Sequence, residues 1–414
     1  MNEKHVLDGV RVLDFTQHLA GPTTTRLMAE MGAEIVKLEL APWGDQVRQV
    51  GYLKGGRSAY FLSQNRGKKS LCVDVKTDAG EKILRGLIPQ FDVLVENFAP
   101  GVIGRMGLDW KTVHKLNPNL IMCSISTFGQ TGPLADRPGF DYIGQAYAGV
   151  TGLIGEKDGP PILPMVAMGD VMTGVHGLAA INAALFRQAK GGPGQHLDIS
   201  LLDSYFHCHE SSVAMISGSE GRFEPPRGGS HSPGLAPLGA FKGRDGYLII
   251  IAVLHQWDAL CDVMGMPELL TDPRFEKINN RVKNRYELVE IIEGWIMSCD
   301  SDDDAIQKLE AKRIPVAPVL TLKEAMEHPH LIERGTVRTV TERGFGTFQM
   351  PGMPLRFSEY ANDLELEAPY LGEHNRQVLK DLLSYSDHQI DELEQQGALK
   401  AEAIPEEFAS APSL

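Results

Sequence analysis

Through its first 130 residues the chain alternates short β-branched runs with longer helical patterns, and this alternation restricts the fold more than any other feature. VRVLDF (10–15) reads as a strand with Asp14 at its carboxyl end, and PTTTRLMAEMG (22–32) as the following helix, stopped by Gly32. AEIVKLEL (33–40) is the next strand. The series continues through SLCVDV (70–75), a helix over 78–89, DVLVENF (92–98), a helix over 101–116 and NLIMCSIST (119–127). Strands joined by helices of this length run parallel, because each return needs a crossover, and such crossovers are right-handed. The expected class is α/β with a parallel sheet. Ligands bind such sheets beyond the carboxyl ends of the strands, so the residues after each strand are the ones to inspect.

Beyond residue 128 the texture changes. YIGQAYAGVTGLIG (142–155) and VMTGVHGLAAINAALFRQAKGG (171–192) are rich in Ala and Gly and read as closely packed, buried helices. QHLDISLLDSYFHCHE (195–210) begins as a strand and turns helical. A total of 414 residues exceeds one ordinary core, and the Gly/Pro-dense GRFEPPRGGSHSPGLAPLG (221–239) is the best linker. A strand, GYLIIIAV (246–253), opens a smaller unit that runs on through VAPVLTLKEAMEH (316–328). The expected organisation is a large domain over 1–220, a linker over 221–240 and a small α+β domain over 241–330. A return linker over 331–365, C-terminal helices over 366–402 and a tail over 403–414 complete it.

A formal net charge of −14 argues against a nucleic-acid or anionic-membrane partner. MNEKHVLDGVRVLDF enters a strand without the apolar core of a secretory signal, and no apolar run reaches bilayer length. Five dispersed cysteines without CxxC spacing suit free thiols and form neither a disulfide framework nor a zinc site. A cytoplasmic enzyme is expected.

The loop DFTQHLAGP (14–22) sets Asp14, Thr16, Gln17 and His18 before a helix start, where free N–H groups favour anions; an ordinary strand-to-helix turn reads equally well. No GxGxxG follows any strand, which weighs against an NAD or FAD enzyme. NRGKKS (65–70) gathers Arg66, Lys68 and Lys69 in what is either a solvated basic turn or a phosphate corner. In ENFAPG and the helix beyond it, Asn97 suits an adenine edge, Phe98 a stacking ring and Arg105 a phosphate. At Gly169-Asp170 an apolar lead, PMVAM, enters a long helix. Asp170 there is an N-cap, or a carboxylate held ionised by the helix dipole for attack on an acyl carbon, with Gly169 leaving room for the acyl group. His207-Cys208-His209-Glu210 looks like a metal cluster, but alternate residues on a helix diverge and no partner pair is evident. His176 reads as a packed histidine. The absence of GxSxG, HExxH and P-loop patterns leaves serine and zinc hydrolases without support.

VRVLDFT…AGP, GAEIVKLE, NRGKKSLCVDVK, DVLVENFAPGVIGRMGLD, FGQTGPLADRPGFDYIGQAYAG, the Gly169-Asp170 helix start, GQHLDISLLDS, RIPVAPVLTLKEA and LGEHN follow one another along most of the chain. In this order and spacing they resemble the class III coenzyme A transferase family. The resemblance implies a Rossmann-like large domain, a smaller domain, C-terminal helices that return to the large one, and two chains interlocked as a homodimer. It places the family's catalytic aspartate on Asp170. Contacts to the adenine, ribose and phosphates of coenzyme A fall on Val73, Lys76, Asn97, Phe98, Arg105 and Met106. Acyl-CoA and a carboxylic acid are then the substrates, with no metal and no tightly bound cofactor.

Two departures bear on the substrate. Formyl-CoA transferase carries a glutamine before Ala-Gly-Pro where this chain has Leu19, and of its glycine-rich lid only Gly228-Gly229 has a counterpart. Formate and oxalate are therefore not the expected pair. The alternative within the superfamily is an α-methylacyl-CoA racemase-type isomerase, which needs a histidine where this chain has Phe140, between Gly139 and Asp141.

Overall fold

The computed structural model describes residues 5–209, 211–362 and 364–408; Glu210 of the His-Cys-His-Glu run and 409–414 of the expected tail lie outside them. The chain forms two compact units. One comprises Met1–Ala148, Met165–Cys208 and His328–Leu414, the other Gly149–Pro164 and His209–Glu327. The sequence reading instead carries the larger domain unbroken to 220, because it takes the Gly-bearing stretch over 142–155 as part of a buried helix and not as a crossing into the second unit.

In the first unit six strands make one sheet: β1 (Arg11–Asp14), β2 (Glu34–Leu40), β3 (Lys68–Val73), β4 (Val93–Glu96), β5 (Ile121–Ser126) and β6 (His196–Ser200). Their order is β3-β2-β1-β4-β5-β6, with every pairing parallel. The order reverses between β1 and β4, and in open parallel sheets ligands bind beyond the carboxyl ends of the strands at such a reversal. Helices α1 (Ala20–Glu30), α2 (Asp78–Leu87), α3 (Trp110–Leu116), α4 (Asp141–Tyr147), α5 (Met168–Ala189) and α6 (Leu201–Phe206) accompany the sheet.

Both faces of the sheet are covered, and apolar side chains make up most of what its strands bury. Val12, Ile35, Val95 and Ile125 face Leu27 and Met28 of α1 and Leu178 and Ile181 of α5. The Ala/Gly content of α5 serves this packing. A Cβ on Gly174 would stand 2.6 Å from the Ala20 carbonyl oxygen, and the Thr24 hydroxyl donates to the Gly174 carbonyl at 2.8 Å. On the opposite face Leu13, Val36, Leu71 and Leu94 meet Ile83, Leu84 and Leu87 of α2.

The second unit holds a three-stranded antiparallel sheet of β7 (Leu238–Lys242), β8 (Tyr247–Ile251) and β9 (Val316–Pro318), with β8 central. Leu248 and Ile250 alternate inward to meet Trp257 and Leu260 of α7 (Gln256–Met264), Ile292 and Ile296 of α8 (Arg285–Ser298), and Leu309 of α9 (Asp302–Ala311). β7 begins inside the stretch expected as the 221–240 linker. The expected return linker likewise holds an antiparallel pair, β10 (Val337–Glu342) and β11 (Gly346–Pro351). Helices α10 (Asn375–Leu383) and α11 (Asp387–Gln395) place Val378, Leu379, Ile390 and Leu393 in the core cluster beside α2.

Two expected helices are shorter than their patterns suggest. The one over 101–116 breaks into Val102–Arg105 and α3, because Gly107 turns at φ +76° and Asp109 then caps α3 by accepting from the Thr112 N–H. The one over 142–155 ends at Tyr147, ahead of Gly149 at φ +79°. Among the described residues no helix is long and apolar enough to cross a membrane.

Candidate active site

The loop after β1 rests on buried charge. Asp14 accepts from the Thr16 N–H and hydroxyl and from the Thr25 hydroxyl, and Lys68 of β3 stands 2.9 Å away. Burial pushes the Asp14 carboxyl up, but Lys68, Lys37 and the Thr16 hydroxyl outweigh it and hold the group below its usual range. Burial brings the Lys68 ammonium down to about 8 against the pull of Asp14. NRGKKS is thus neither a solvated turn nor a phosphate corner. Arg66 and Lys68 are buried, and Lys69, partly exposed, pairs with Glu34 at 2.6 Å.

The same loop is tied to the end of β4. The Gln17 N–H donates to Asn97 Oδ1, and Asn97 Nδ2 donates to the Gln17 carbonyl, both at 2.8 Å. The amide expected to read an adenine edge is therefore engaged at both atoms. Of the other residues singled out in the sequence, Val73 ends β3, fully buried, and Lys76 is exposed in the turn beyond. Phe98 and Met106 are half-buried against the cluster that contains Val73. Arg105 ends its short helix exposed to solvent. β2 and β1 separate the ends of β3 and β4, so the two groups stand about 14 Å apart across the sheet, at ~4.8 Å per strand.

Asp170 is the third residue of α5, half-buried, and Ala167 is the N-cap, without a side-chain capping bond. Asp170 is therefore not the cap. Its carboxylate accepts no hydrogen bond among the described residues. Burial, then the charge of Asp141, pushes the group up to about 7. The helix dipole, expected to keep it low, contributes only about 0.3–1 kcal/mol and is outweighed.

Asp141 opens α4 and is buried. Its Oδ1 accepts from the phenol of Tyr205 on α6. The same phenol oxygen accepts from the Gly169 N–H at 3.0 Å and from Gln145 Nε2 at 3.1 Å. Asp141 Oδ2 is buried without a hydrogen-bond partner among the described residues. A Cβ on Gly169 would lie 2.1 Å from Tyr205 Cε2 and 2.5 Å from Asp141 Oδ1. The space left by Gly169 is thus filled by Tyr205 and Asp141, not kept open for an acyl group as expected. Tyr60, on the short helix Ala59–Gln64, lies in the field of Asp170; burial first, then Asp170 and Asp45, push its phenol up to about 12.

His176 has its Nδ1 3.0 Å from Ser204 Oγ and its ring 5.9 Å from that of His207, in keeping with a packed histidine. Phe140, 74% exposed, sets its ring edge-on to His18 at 6.4 Å. Among the described residues no three His, Cys, Asp or Glu side chains gather as a metal site. Sequence reasoning missed Tyr205 and Tyr60, since an aromatic on a short helix carries no local sign that its hydroxyl matters, and noted Asp141 only as the neighbour of Phe140.

A profile of CoA-transferase family III matches residues 7–375. The human succinyl-CoA:glutarate CoA-transferase is 34% identical over 397 residues, covering 95% of this chain and 90% of that protein. A formyl-CoA:oxalate CoA-transferase from Rhodopseudomonas palustris is 33% identical over 415 residues, covering 95% and 97%. Among solved structures, a CAIB/BAIF family protein from Brucella suis superposes with a TM-score of 0.81 at 32% identity, over 92% of this chain and 100% of that one. The chain belongs to CoA-transferase family III.

Proposed function

We propose that this CoA-transferase moves CoA from an acyl-CoA donor to a carboxylic acid acceptor, with Asp170 as the covalent carrier. The observation that carries the reading is a half-buried carboxylate, free of hydrogen bonds among the described residues, whose surroundings push it up to about 7. Such a group is poised between its two forms near neutrality, and its ionised form is poorly stabilised and hence nucleophilic.

The ionised Asp170 oxygen attacks the thioester carbonyl, and collapse of the tetrahedral adduct expels CoA thiolate and leaves a mixed anhydride. The thiolate attacks the aspartyl carbonyl, releasing the donor acid and forming an Asp170–CoA thioester. The acceptor carboxylate attacks that thioester, giving a second anhydride and thiolate. Attack of the thiolate on the acceptor's acyl carbon forms the new acyl-CoA and restores Asp170. One activated acyl bond replaces another at each step, so no further energy source is needed. Tethering CoA by its nucleotide makes the attacks effectively unimolecular, worth roughly 7–11 kcal/mol at best.

Val73, Lys76, Asn97, Phe98, Arg105 and Met106 are the proposed nucleotide contacts. Lys76 and Arg105, exposed and without ion-pair partners among the described residues, suit the phosphates, and Phe98 and Met106 offer apolar surface to the base. Asn97 would act mainly by holding the Gln17 loop in place. Both named relatives use a dicarboxylic acid, glutarate or oxalate, and a dicarboxylate such as succinate is the proposed substrate class. A second copy of the chain is proposed to cover the apolar side of α5, where Met168, Val171, Val175 and Phe186 are exposed. Racemisation has no support from Phe140, whose ring carries no exchangeable proton.

The reading is tested by replacing Asp170 with Ala and screening acyl-CoA donors against carboxylic acids by mass spectrometry. A folded protein without exchange is expected; exchange at the wild-type rate would refute the reading.

A further inference from the structure

Tyr205 stands where three elements meet. Its ring, on α6, is almost fully buried. Its hydroxyl donates to Asp141 Oδ1 at the start of α4 and accepts from the Gly169 N–H in the first turn of α5. Gln145, one turn along α4 from Asp141, donates to it as well. The phenol thus has one acceptor and two donors, a full complement for a hydroxyl. The aromatic carbon lies so close to Gly169 that no side chain fits there. Burial first, then the Asp141 bond and charge, pushes the phenol up, so it remains a donor at any pH at which the enzyme works.

We propose that Tyr205 is the positioning residue of the transfer reaction: by tying the Asp141 carboxylate to the peptide N–H next to Asp170, it fixes both the stance of the nucleophile and the charge set against it. The inference rests on the reading of Asp170 as nucleophile. The Asp141 charge raises Asp170, so the size of that push depends on how closely the tie holds the two carboxyl groups. Without the hydroxyl, the first turn of α5 loses its anchor to Asp141, and Asp170 is released from the charge set against it. Among the described residues, Asp141 from α4 acts on Asp170, Asp170 acts on Tyr60 of the Ala59–Gln64 helix, and Tyr205 from α6 reaches the neighbouring Gly169 N–H. His176 on α5 and His207 lie a turn or more further along, with His176 beside Ser204. At the other end of α1, Arg26 and Glu30 pair with each other at 3.3 Å.

The test compares Tyr205→Phe, Asp141→Asn and the double variant with the wild type, reading kcat, KM for acyl-CoA and the acid limb of kcat/KM. Tyr205→Phe is expected to lose roughly 10- to 100-fold in kcat, the cost of a nucleophile displaced by an ångström or less, with KM changed by less than about threefold. Its acid limb moves to lower pH by about half a unit or more. Asp141→Asn, which keeps an oxygen to accept from the phenol, moves the limb the same way, and adding Tyr205→Phe to it moves the limb no further, because both act through one charge. A Tyr205→Phe enzyme with wild-type kcat and an unmoved limb overturns the proposal, as does a limb shift in the double variant equal to the sum of the single ones. If Tyr205→Phe fails to fold, an unmoved limb in Asp141→Asn overturns it instead. Asp170→Asn, assayed alongside, separates the two levels: exchange that survives in it removes the nucleophile, whereas a dead Asp170→Asn beside a normal Tyr205→Phe removes only the positioning role.

Discussion

Lys68, at the first residue of β3, and Asp14, at the last residue of β1, form an ion pair of 2.9 Å from which solvent is wholly excluded. Removing Lys68 leaves the buried Asp14 charge with Lys37 alone to offset it, at a cost of up to about 3–5 kcal/mol. Lys68→Met is expected to lose that much stability in urea denaturation, while Lys68→Met combined with Asp14→Asn recovers part of it. A Lys68→Met protein as stable as the wild type would mean that the pair is not a structural support of the loop over 14–22.

Asn97 links the loops after β1 and β4 through two hydrogen bonds to Gln17. Asn97→Ala leaves a half-buried N–H and carbonyl without their partners, at about 1–3 kcal/mol. A lower melting temperature together with a raised KM for acyl-CoA is expected. A raised KM with unchanged melting would assign Asn97 to the ligand alone.

Asp170 carries a stability signature opposite in sign to that of a capping residue. Its folded value of about 7 lies above the ordinary 3.8, so between those limits the native state holds more protons than the unfolded chain and stability falls as pH rises. Asp170→Asn lacks this penalty. The variant is expected to be inactive yet more stable than the wild type by about 1–2 kcal/mol at pH ~8, after allowance for solvent screening and the lost dipole interaction, with the gain vanishing near pH ~4. Parallel thermal melts at the two pH values decide it; a destabilised variant at the higher pH contradicts the assignment.

Gly169→Ala forces a methyl group to within 2.1 Å of the Tyr205 ring. The ring is buried and cannot step aside without moving α6 or the first turn of α5. A loss of about 1–3 kcal/mol in stability and a larger proportional loss in kcat are expected, measured by denaturation and by exchange assay. Wild-type kinetics in this variant would show that the Gly169–Tyr205 contact is dispensable.

The parallel sheet is legible in the sequence because short β-branched runs alternate with helical patterns, and VRVLDF, AEIVKLEL and DVLVENF each hold a strand. The helix bearing Asp170 is legible too, from its Ala/Gly spacing and its Gly191 stop. What the chain conceals depends on partners distant in sequence. Lys68 reads as a surface cation until Asp14 is placed beside it, 54 positions earlier. Gly169 reads as open space until Tyr205 fills it, 36 positions later. The raised Asp170 has the same origin, for burial and the Asp141 charge exist only once α4 and α5 have packed. The assignment of 149–164 to the second unit is likewise a property of contacts: its Gly and Pro residues mark a loop but not the unit it packs in.

The most direct test is to trap the carboxylate in the act. Incubation with acyl-CoA and hydroxylamine, followed by peptide mass spectrometry, should convert the Asp170 side chain to its hydroxamate and leave Asp14, Asp141 and every other carboxylate untouched, with no conversion when acyl-CoA is withheld. Steady exchange of CoA between acids with Asp170 unmodified would contradict an aspartyl intermediate at this position.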